Sequence, residues 1–481
     1  MLFNSLEFII FFIVILTTIS AIKNRKFQHI FLLVISYFFF YFTSNYLVTL
    51  LIISTLLDYY LGNKIWNENN IIKKKIFLIL SLIGNLGLLG FFKYSDFAIA
   101  QFNIFGTHFN LNSEIPLLDL ILPIGISFYT FQTISYTVDI YRGHLEPSKS
   151  FREFALFVAF FPQLVAGPIV RSQHFLEQIK KPVSTNPHRF RLGLTLIIYG
   201  LAKKLIIADN VAIHVNEIFV EGAALDNIGL VWWGAVAFGI QIYCDFSAYT
   251  DIAIGSALFF GIRLPENFDS PYAATSPQDF WRRWHISLST WLRDYLYIPL
   301  GGSRNGPRVM FFALMMTMLL GGLWHGASWN FVLWGLLHGL LLIGHRGIIK
   351  LGFIKAAFEK APRFSTLIGW IVTQYFVFMT WLVFRVEETS ILIPSLKTFV
   401  GINAHWDTTE MYESLPEIKF LTLGLATLFF IGHFLSWRLG GLKHWIAKQN
   451  PWVWGLAIGT LLSLAFLLRP AETVDFIYFR F

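Results

Sequence analysis

The sequence predicts an all-α membrane protein, a polytopic helical bundle of about 11–12 spans with additional re-entrant or interfacial helices. Its 481 residues are 55% hydrophobic and only 14% charged, whereas a soluble domain carries about a quarter charged residues. The apolar runs are also continuous instead of alternating, which favours helices over spanning strands. Both observations indicate a chain whose main solvent is lipid.

The apolar segments follow one another along most of the chain, and a spanning helix needs about 20 apolar residues. They lie at 5–22, 29–42, 46–62, 76–92, 118–136, 152–170, 192–213, 228–244, 308–322, 328–346, 366–385, 419–436 and 452–468. Several fall short of a bilayer's thickness, so we expect broken or re-entrant helices among them. Because the hydrophobic segments occupy most of the length, we expect one membrane domain over 1–481, with its polar motifs at 118–346.

The charges of the connecting loops predict the orientation of the helices. Basic residues cluster at 23–26, 73–75, 345–364 and 437–450, whereas the loop at 387–417 is acidic. Cytoplasmic loops carry the excess of Lys and Arg. We therefore expect the N-terminus and the loop 387–417 to lie outside the cytoplasm.

Charge and cysteine content exclude several functional classes. The net charge of +8 resides in short loops between apolar runs, which is typical of lipid-facing topology signals and not of a nucleic-acid partner. Cys244 is the only cysteine, so neither an intrachain disulfide nor a thiolate metal site is expected. Signatures of nucleotide-binding loops, serine hydrolases and zinc proteases do not occur. We expect no metal and no bound cofactor.

The segment 262–307 is too polar to span a membrane. Within it, helical spacing places the large apolar residues on one face and the charged residues Arg282, Arg283 and Asp294 on the other. The residues of the apolar face are Trp281, Trp284, His285, Leu288, Trp291, Leu292 and Tyr295. This pattern predicts an amphipathic helix at the membrane interface, with its charges toward water or phosphate.

Two histidines in apolar surroundings are the strongest candidates for chemistry. His325 lies in an apolar run, and an imidazole at membrane depth is costly unless it faces a protein interior or a cavity. Because histidine exchanges protons near neutral pH, His325 is either a proton-transfer centre or a structural group bonded to a carbonyl. His285 is either catalytic or a packed core residue. His338 lies 13 residues after His325 and should point away from it on a straight helix.

Other polar groups could support such a centre. Asp245 could orient a histidine by accepting its second N–H or could form a structural ion pair, and Asn330 lies close to His325 in sequence. Pro162, Gly167 and Pro168 predict a broken helix, which lipid tolerates only beside a cavity. The basic residues near these features could meet phosphate groups or anchor helices at the headgroups; they are Arg171, Lys203, Lys204, Arg282 and Arg283.

Long motifs along the chain resemble the membrane-bound O-acyltransferase family, and within it the membrane subunits of alginate and peptidoglycan O-acetylation. The matching runs are 122–132, 138–143, 166–168, 245–251, 280–289, 291–295, 322–326 and 476–479. The resemblance covers nearly the whole chain. It implies a helical bundle around a tunnel, with His325 matching the invariant histidine of the family and His285 its second motif histidine.

The resemblance also implies a reaction. Acetyl-CoA would be the cytoplasmic donor, and the acceptor would be a cell-surface polysaccharide such as alginate or peptidoglycan. Transfer would be direct or through an extracytoplasmic acetyltransferase partner, in the bacterial inner membrane. From the residues alone, two alternatives stay open: a proton-coupled transporter or flippase, in which buried His and Asp form a relay, and a non-catalytic scaffold of a polysaccharide export complex.

Overall fold

The computed structural model describes the chain except residues 1–2, 4, 111–113, 165–166, 185, 221–224, 353–355, 357–358, 416–417, 472–475 and 478–481. The family motifs at 166–168 and 476–479 therefore lie partly outside the described residues. Where the chain is described, its regular structure is helical, apart from one isolated bridge between Asn227 and His405. The predicted all-α class is confirmed.

Several helices of the described residues are long and apolar enough to cross a membrane. They are the helical stretches Arg25–Asn67, Ile71–His108, Ile228–Phe259, Gly306–His325, Trp329–Ile348, Pro362–Arg385 and Lys419–Leu439. Two shorter apolar helices are Leu6–Ala21 and Pro451–Leu467. The polytopic architecture is thus confirmed, whereas the predicted count of spans is larger than the number of described helices that meet this length and composition.

The chain forms two compact units, and the first comprises Met1–Leu194 with Ile252–Pro265. Its helices are Leu6–Ala21, Arg25–Ser44, Asn45–Leu47, Val48–Asn67, Ile71–His108, Ile126–Tyr141, Phe151–Ala159, Phe161–Leu164, Ser172–Gln178 and the first half of Pro187–Ala202. Buried polar side chains join three of these helices: Asp58 accepts hydrogen bonds from Ser81 (2.5 Å) and Asn85 (2.7 Å), and Thr133 donates to Asn85 (3.1 Å).

The second unit comprises Thr195–Asp251 and Glu266–Phe481. Its elements are the π-helical turn Lys203–Ala208, Asp209–Phe219, most of Ile228–Phe259, Pro271–Ala273, Pro277–Arg283, Ile286–Leu292, the π-helical turn Arg293–Tyr297, Gly306–His325, Trp329–Ile348, Pro362–Arg385, Thr389–Phe399, Thr408–Glu413, Lys419–Leu439, Leu442–Lys448 and Pro451–Leu467. Its core is aromatic, and Trp284, Trp334 and Trp381 are among the largest fully buried side chains. The expectation of one membrane domain stays a prediction.

Several predicted boundaries are wrong because turn signals were misplaced. The segment 76–92 belongs to the 38-residue helix Ile71–His108. The segment 118–136 becomes helical only at Ile126, after Gly125 adopts φ +80°. The segment 228–244 belongs to the longer helix Ile228–Phe259, which also contains the polar motif 245–251. The predicted break near Pro162 is present, since one helix ends at Ala159 and the next covers only Phe161–Leu164.

The predicted amphipathic helix at 281–295 is also wrong, because it breaks between Pro277–Arg283 and Ile286–Leu292. His285, at the break, has φ +42° and ψ +56°, a left-handed conformation that is uncommon for a residue with a side chain. Asn267 supplies the replacement hydrogen bonds: its carbonyl accepts from Ile286 N (3.0 Å) and its Oδ1 from Ser287 N (3.1 Å). Tertiary bonds therefore override the helical periodicity.

Two antiparallel neighbours in the second unit approach closely at glycines. We call Gly306–His325 the His325 helix and Trp329–Ile348 the Trp334 helix. A Cβ atom at Gly335 would lie 3.0 Å from the carbonyl carbon of Met318 and 3.1 Å from the Cα of Leu319. Small residues allow such close backbone approach in membranes, and it brings the end of one helix against the start of the other.

Candidate active site

His325 is the last residue of the His325 helix and is almost fully buried, with 4% exposure. Three rings surround its imidazole, with centroids 5.0 Å away for Trp324, 5.1 Å for Trp334 and 5.2 Å for Phe384. The helix ends there because Gly326 is extended, and a Cβ on Gly326 would collide with the Phe331 ring. The imidazole thus lies in a pocket walled by three aromatic rings, here called the aromatic nest.

The structure brings His285 to the same nest, although 40 residues separate it from His325 in the sequence. His285 is fully buried; its ring lies 4.7 Å from that of Phe246 and 6.0 Å from that of Trp324. Trp324 therefore contacts both histidines. Burial lowers the pKa of His285 to about 3, so its imidazole is neutral at cellular pH and is a weak base. This favours a hydrogen-bonding or packing role for His285.

The two predicted supporting residues hold the helices that form the nest. Asp245 binds Lys204 (2.9 Å) and accepts a hydrogen bond from the backbone N of Ile477 (2.6 Å). Its neighbour Phe246 contacts His285. Asn330 Nδ2 donates to the carbonyl oxygens of Val383 and Phe384 at 3.4 Å each. Because Phe384 contacts His325, Asn330 ties one wall of the nest to the next helix.

The predicted donor-binding cations have different surroundings. Lys203 binds Asp251 and the Ser247 hydroxyl, each at 2.7 Å. It lines a cavity of about 420 Å³ together with Lys443 and Glu266. Lys443 binds the carboxylates of Asp251 and Glu266, each at 2.6 Å. A phosphate group would have to compete with these ion pairs for Lys203.

The three predicted arginines also differ in their exposure and in their partners. Arg282 is exposed, whereas Arg283 binds Asp279 at 2.9 Å. Arg171 belongs to the first unit, where it is half-buried and directly precedes the helix Ser172–Gln178. Of the predicted cations, Arg282 and Arg283 thus lie on the helix that leads to His285, and Arg282 is the one exposed to a ligand from solution.

Sequence reasoning missed two features of the second unit. Lys443 was counted only as a topology signal of the basic segment 437–450, although it joins Asp251 to Glu266. The expectation that His338 points away from His325 assumes one straight helix, whereas one helix ends at His325 and His338 lies on the next. The indole of Trp334 contacts both imidazoles. Spacing along one helix cannot reveal a contact that passes through a third side chain.

One exposed group among the described residues could surround a metal ion, with ligand atoms within 4.8 Å of one another: Asp226, His405 and Glu410. His405 already pairs with both carboxylates, at 3.5 Å to Asp226 and 2.7 Å to Glu410. The group joins the segment before helix Ile228–Phe259 to the helix Thr408–Glu413 and the loop before it. It shares no residue with the aromatic nest.

Comparison with known proteins identifies the family. Residues 144–386 match the family model of the membrane-bound O-acyltransferases (MBOAT). The peptidoglycan O-acetyltransferase of Helicobacter pylori is 35% identical over 89% of this chain and 86% of its own length. The probable alginate O-acetylase of Pseudomonas aeruginosa is 38% identical over 89% of this chain and 80% of its own. The teichoic acid D-alanyltransferase of Bacillus subtilis is 28% identical over 54% of this chain and 68% of its own.

The matched range contains His285, His325, Asp245 and Asn330, and also the exposed Arg282. A buried histidine is also the side chain that most often serves as a general acid or base. The chain belongs to the membrane-bound O-acyltransferase family and is an O-acyltransferase.

Proposed function

We propose that this protein transfers an acetyl group from cytoplasmic acetyl-CoA to an extracytoplasmic cell-surface polysaccharide, directly or through a partner acetyltransferase. The observation that carries the proposal is the buried His325, held among three aromatic rings at the end of a membrane-length helix. Relatives that cover most of the chain carry the names of peptidoglycan and alginate O-acetylating proteins, which supports acetyl as the acyl group and a polysaccharide as the acceptor.

The proposed reaction needs one base that returns its proton. His325 removes the proton of an acceptor hydroxyl, which is a poor nucleophile until it is deprotonated. The hydroxyl oxygen attacks the thioester carbonyl, the carbon–sulfur bond breaks, and the imidazolium protonates the departing thiolate. The products are an acetyl ester and free CoA, and no metal or redox partner is needed to balance them.

The surrounding residues are proposed to position this base. His285 shares the Trp324 contact with His325, and as a neutral imidazole it can donate one hydrogen bond to the reacting groups. Asn330 holds the helix end that carries Phe384. Asp245 anchors the helix that carries Phe246. These contacts hold the walls around the two imidazoles in place, and a general base has to be held where it can reach the proton that it removes.

The donor is proposed to enter from the cytoplasm and the acceptor from outside, in a bacterial inner membrane with the N-terminus outside. The basic segments 23–26, 73–75 and 437–450 support this orientation. Arg282 is the strongest candidate for a phosphate contact because it is exposed. Arg171, Lys203 and Arg283 remain candidates, and Lys203 and Arg283 would have to exchange their carboxylate partners for phosphate.

The test is transfer from labelled acetyl-CoA by the purified full-length protein in lipid vesicles, with alginate or peptidoglycan fragments as acceptor. The wild type should release free CoA in proportion to acceptor acetylation. His325→Ala and His325→Gln should lower kcat by at least about 10²-fold, because general-base catalysis contributes about 10²–10⁴-fold.

His433→Gln is the matched control, since His433 is a buried histidine of the same unit that accepts a hydrogen bond from Tyr272 N. It should keep most of the activity of the molecules that fold. Near wild-type transfer by His325→Gln would remove the general-base role. Substrate translocation without CoA release would instead support a transporter.

A further inference from the structure

A cluster of rings with polar edges surrounds Trp334, the residue whose indole also contacts His325. His338 has 1% exposure, and its ring lies 4.6 Å from that of Trp334 and 5.1 Å from that of Trp281. Phe280 stacks nearly parallel to the imidazole at 6.1 Å. Trp334 in turn lies 5.1 Å from His325. A second buried imidazole therefore belongs to the surroundings of the candidate base.

Three nitrogens of this cluster lack a hydrogen-bond partner within the described part of the chain. They are Nε2 of His338, Nε1 of Trp334 and Nε1 of Trp281, and all three are buried. Buried polar atoms without partners are rare in folded proteins because each one loses its hydration and gains nothing in return. Three in one ring cluster next to a proposed catalytic base indicate that another molecule supplies the missing partner.

The chemistry of the nitrogens defines that partner. An indole Nε1–H can only donate, and a neutral imidazole donates from Nε2 in one of its tautomers. The site therefore suits an oxygen that accepts and need not donate, such as a carbonyl. A carbonyl oxygen that becomes negatively charged during attack gains most from such donors, because they are already oriented in a water-poor environment.

We propose that His338, with the indoles of Trp334 and Trp281, forms a hydrogen-bonding subsite for the carbonyl oxygen of the acyl donor. The inference rests on the acyl transfer proposed above. When the acceptor oxygen bonds to the carbonyl carbon, the π electron pair moves to the carbonyl oxygen, where the N–H groups stabilise it. The pair then re-forms the C=O bond as the carbon–sulfur bond breaks and the thiolate takes the proton held by His325.

The decisive variants separate ring packing from hydrogen bonding. His338→Phe keeps an aromatic ring against Phe280 and Trp334 but removes the nitrogens, whereas His338→Gln keeps an N–H donor but removes the ring. If the subsite binds the developing oxyanion, His338→Phe lowers kcat by about 10²-fold, as loss of one such donor does. KM for acetyl-CoA should change by less than about threefold, and His338→Gln should recover most of kcat.

Trp334→Phe and Trp281→Phe provide a second route, since each removes one N–H and keeps a ring. Each should lower kcat more than KM. The matched control is His433→Phe, which removes an imidazole in contact with Tyr243 and Tyr272 but outside the cluster. It should lower thermal stability with kcat of the folded molecules preserved.

Three results would overturn the subsite. One is a wild-type kcat in His338→Phe. Another is equal loss of kcat in the Phe and Gln variants with a lowered unfolding temperature in both, which is the behaviour of a packing residue. The third is the absence of CoA release by the wild-type protein, which overturns the transferase proposal as well and is therefore distinguishable from the other two.

Discussion

Replacing Gly335 by Ala should force the His325 helix and the Trp334 helix apart. The added Cβ would overlap its nearest neighbour, the carbonyl oxygen of Met318, and would lie 3.0 Å from the carbonyl carbon of Met318 and 3.1 Å from the Cα of Leu319. Carbon atoms in contact prefer a separation of about 3.5–4.0 Å, so the helices must separate by roughly 0.5–1 Å. The obstacles are backbone atoms, which cannot rotate away as a side chain could.

The magnitude follows from two opposing effects. Ala is favoured over Gly inside a helix by about 1 kcal/mol, whereas forcing extra volume into a packed contact costs about 1–3 kcal/mol. Because backbone must move here, we expect the upper end of that range and a net loss of about 2 kcal/mol. Gly344→Ala on the same helix meets nothing within 4 Å, so it should gain up to about 1 kcal/mol. The two variants should thus differ by about 3 kcal/mol.

Thermal unfolding of the purified protein in detergent, followed by tryptophan fluorescence, measures the difference. Gly335→Ala should unfold at a lower temperature than the wild type, and Gly344→Ala at the same or a higher one. Transfer activity should fall only in Gly335→Ala, because His325 and Trp334 lie on the two separated helices. Equal unfolding temperatures for the two variants would show that the close approach at Gly335 does not limit the packing of this pair.

Three further expectations concern the loops and the donor. Arg282→Ala should raise KM for acetyl-CoA severalfold with little change in kcat or unfolding temperature, because an exposed phosphate contact acts on binding; an unchanged KM excludes Arg282 from donor binding. Single cysteines at Glu413 and Lys350, in a background without the native thiol, should react with an impermeant reagent from outside only at 413; the reverse pattern would invert the topology. The hydrogen bond to Glu410 raises the pKa of His405 above its usual 6.5. This link between His405 and the helix Thr408–Glu413 should therefore be present below pH 6.5 and be lost as the pH rises through the raised value. Hydrogen exchange of the 403–410 loop should therefore be slower at pH 6 than at pH 9 after correction for intrinsic rates, and a flat ratio would contradict the link.

The sequence was sufficient for the architecture because lipid imposes long apolar helices that composition reveals directly. It was insufficient for the segment around His285. There the amphipathic spacing of Trp281, Trp284 and Leu288 predicts one helix, yet the chain breaks at His285. The hydrogen bonds that stabilise the break come from Asn267. The periodicity of one segment contains no information about a residue from another segment that binds its backbone.

The candidate site was also predictable only in part. Buried titratable residues in apolar sequence, such as His325 and His285, attract attention because their burial has a cost. The role of Lys203 was harder to predict, since a lysine near a helix end is usually a topology signal. Its ion pair with Asp251 depends on how two helices face each other. His338 was misjudged because its relation to His325 runs through the ring of Trp334.

The hydrogen bond between Asp245 and the backbone of Ile477 has a consequence for biosynthesis. The two residues are 232 positions apart, so the helix that carries Asp245 must be inserted long before its partner leaves the ribosome. During that interval the buried carboxylate has Lys204, 2.9 Å away in the finished protein, as its available counter-charge. A chain truncated before residue 476 would retain this incomplete arrangement permanently, and we expect membrane quality-control proteases to recognise it.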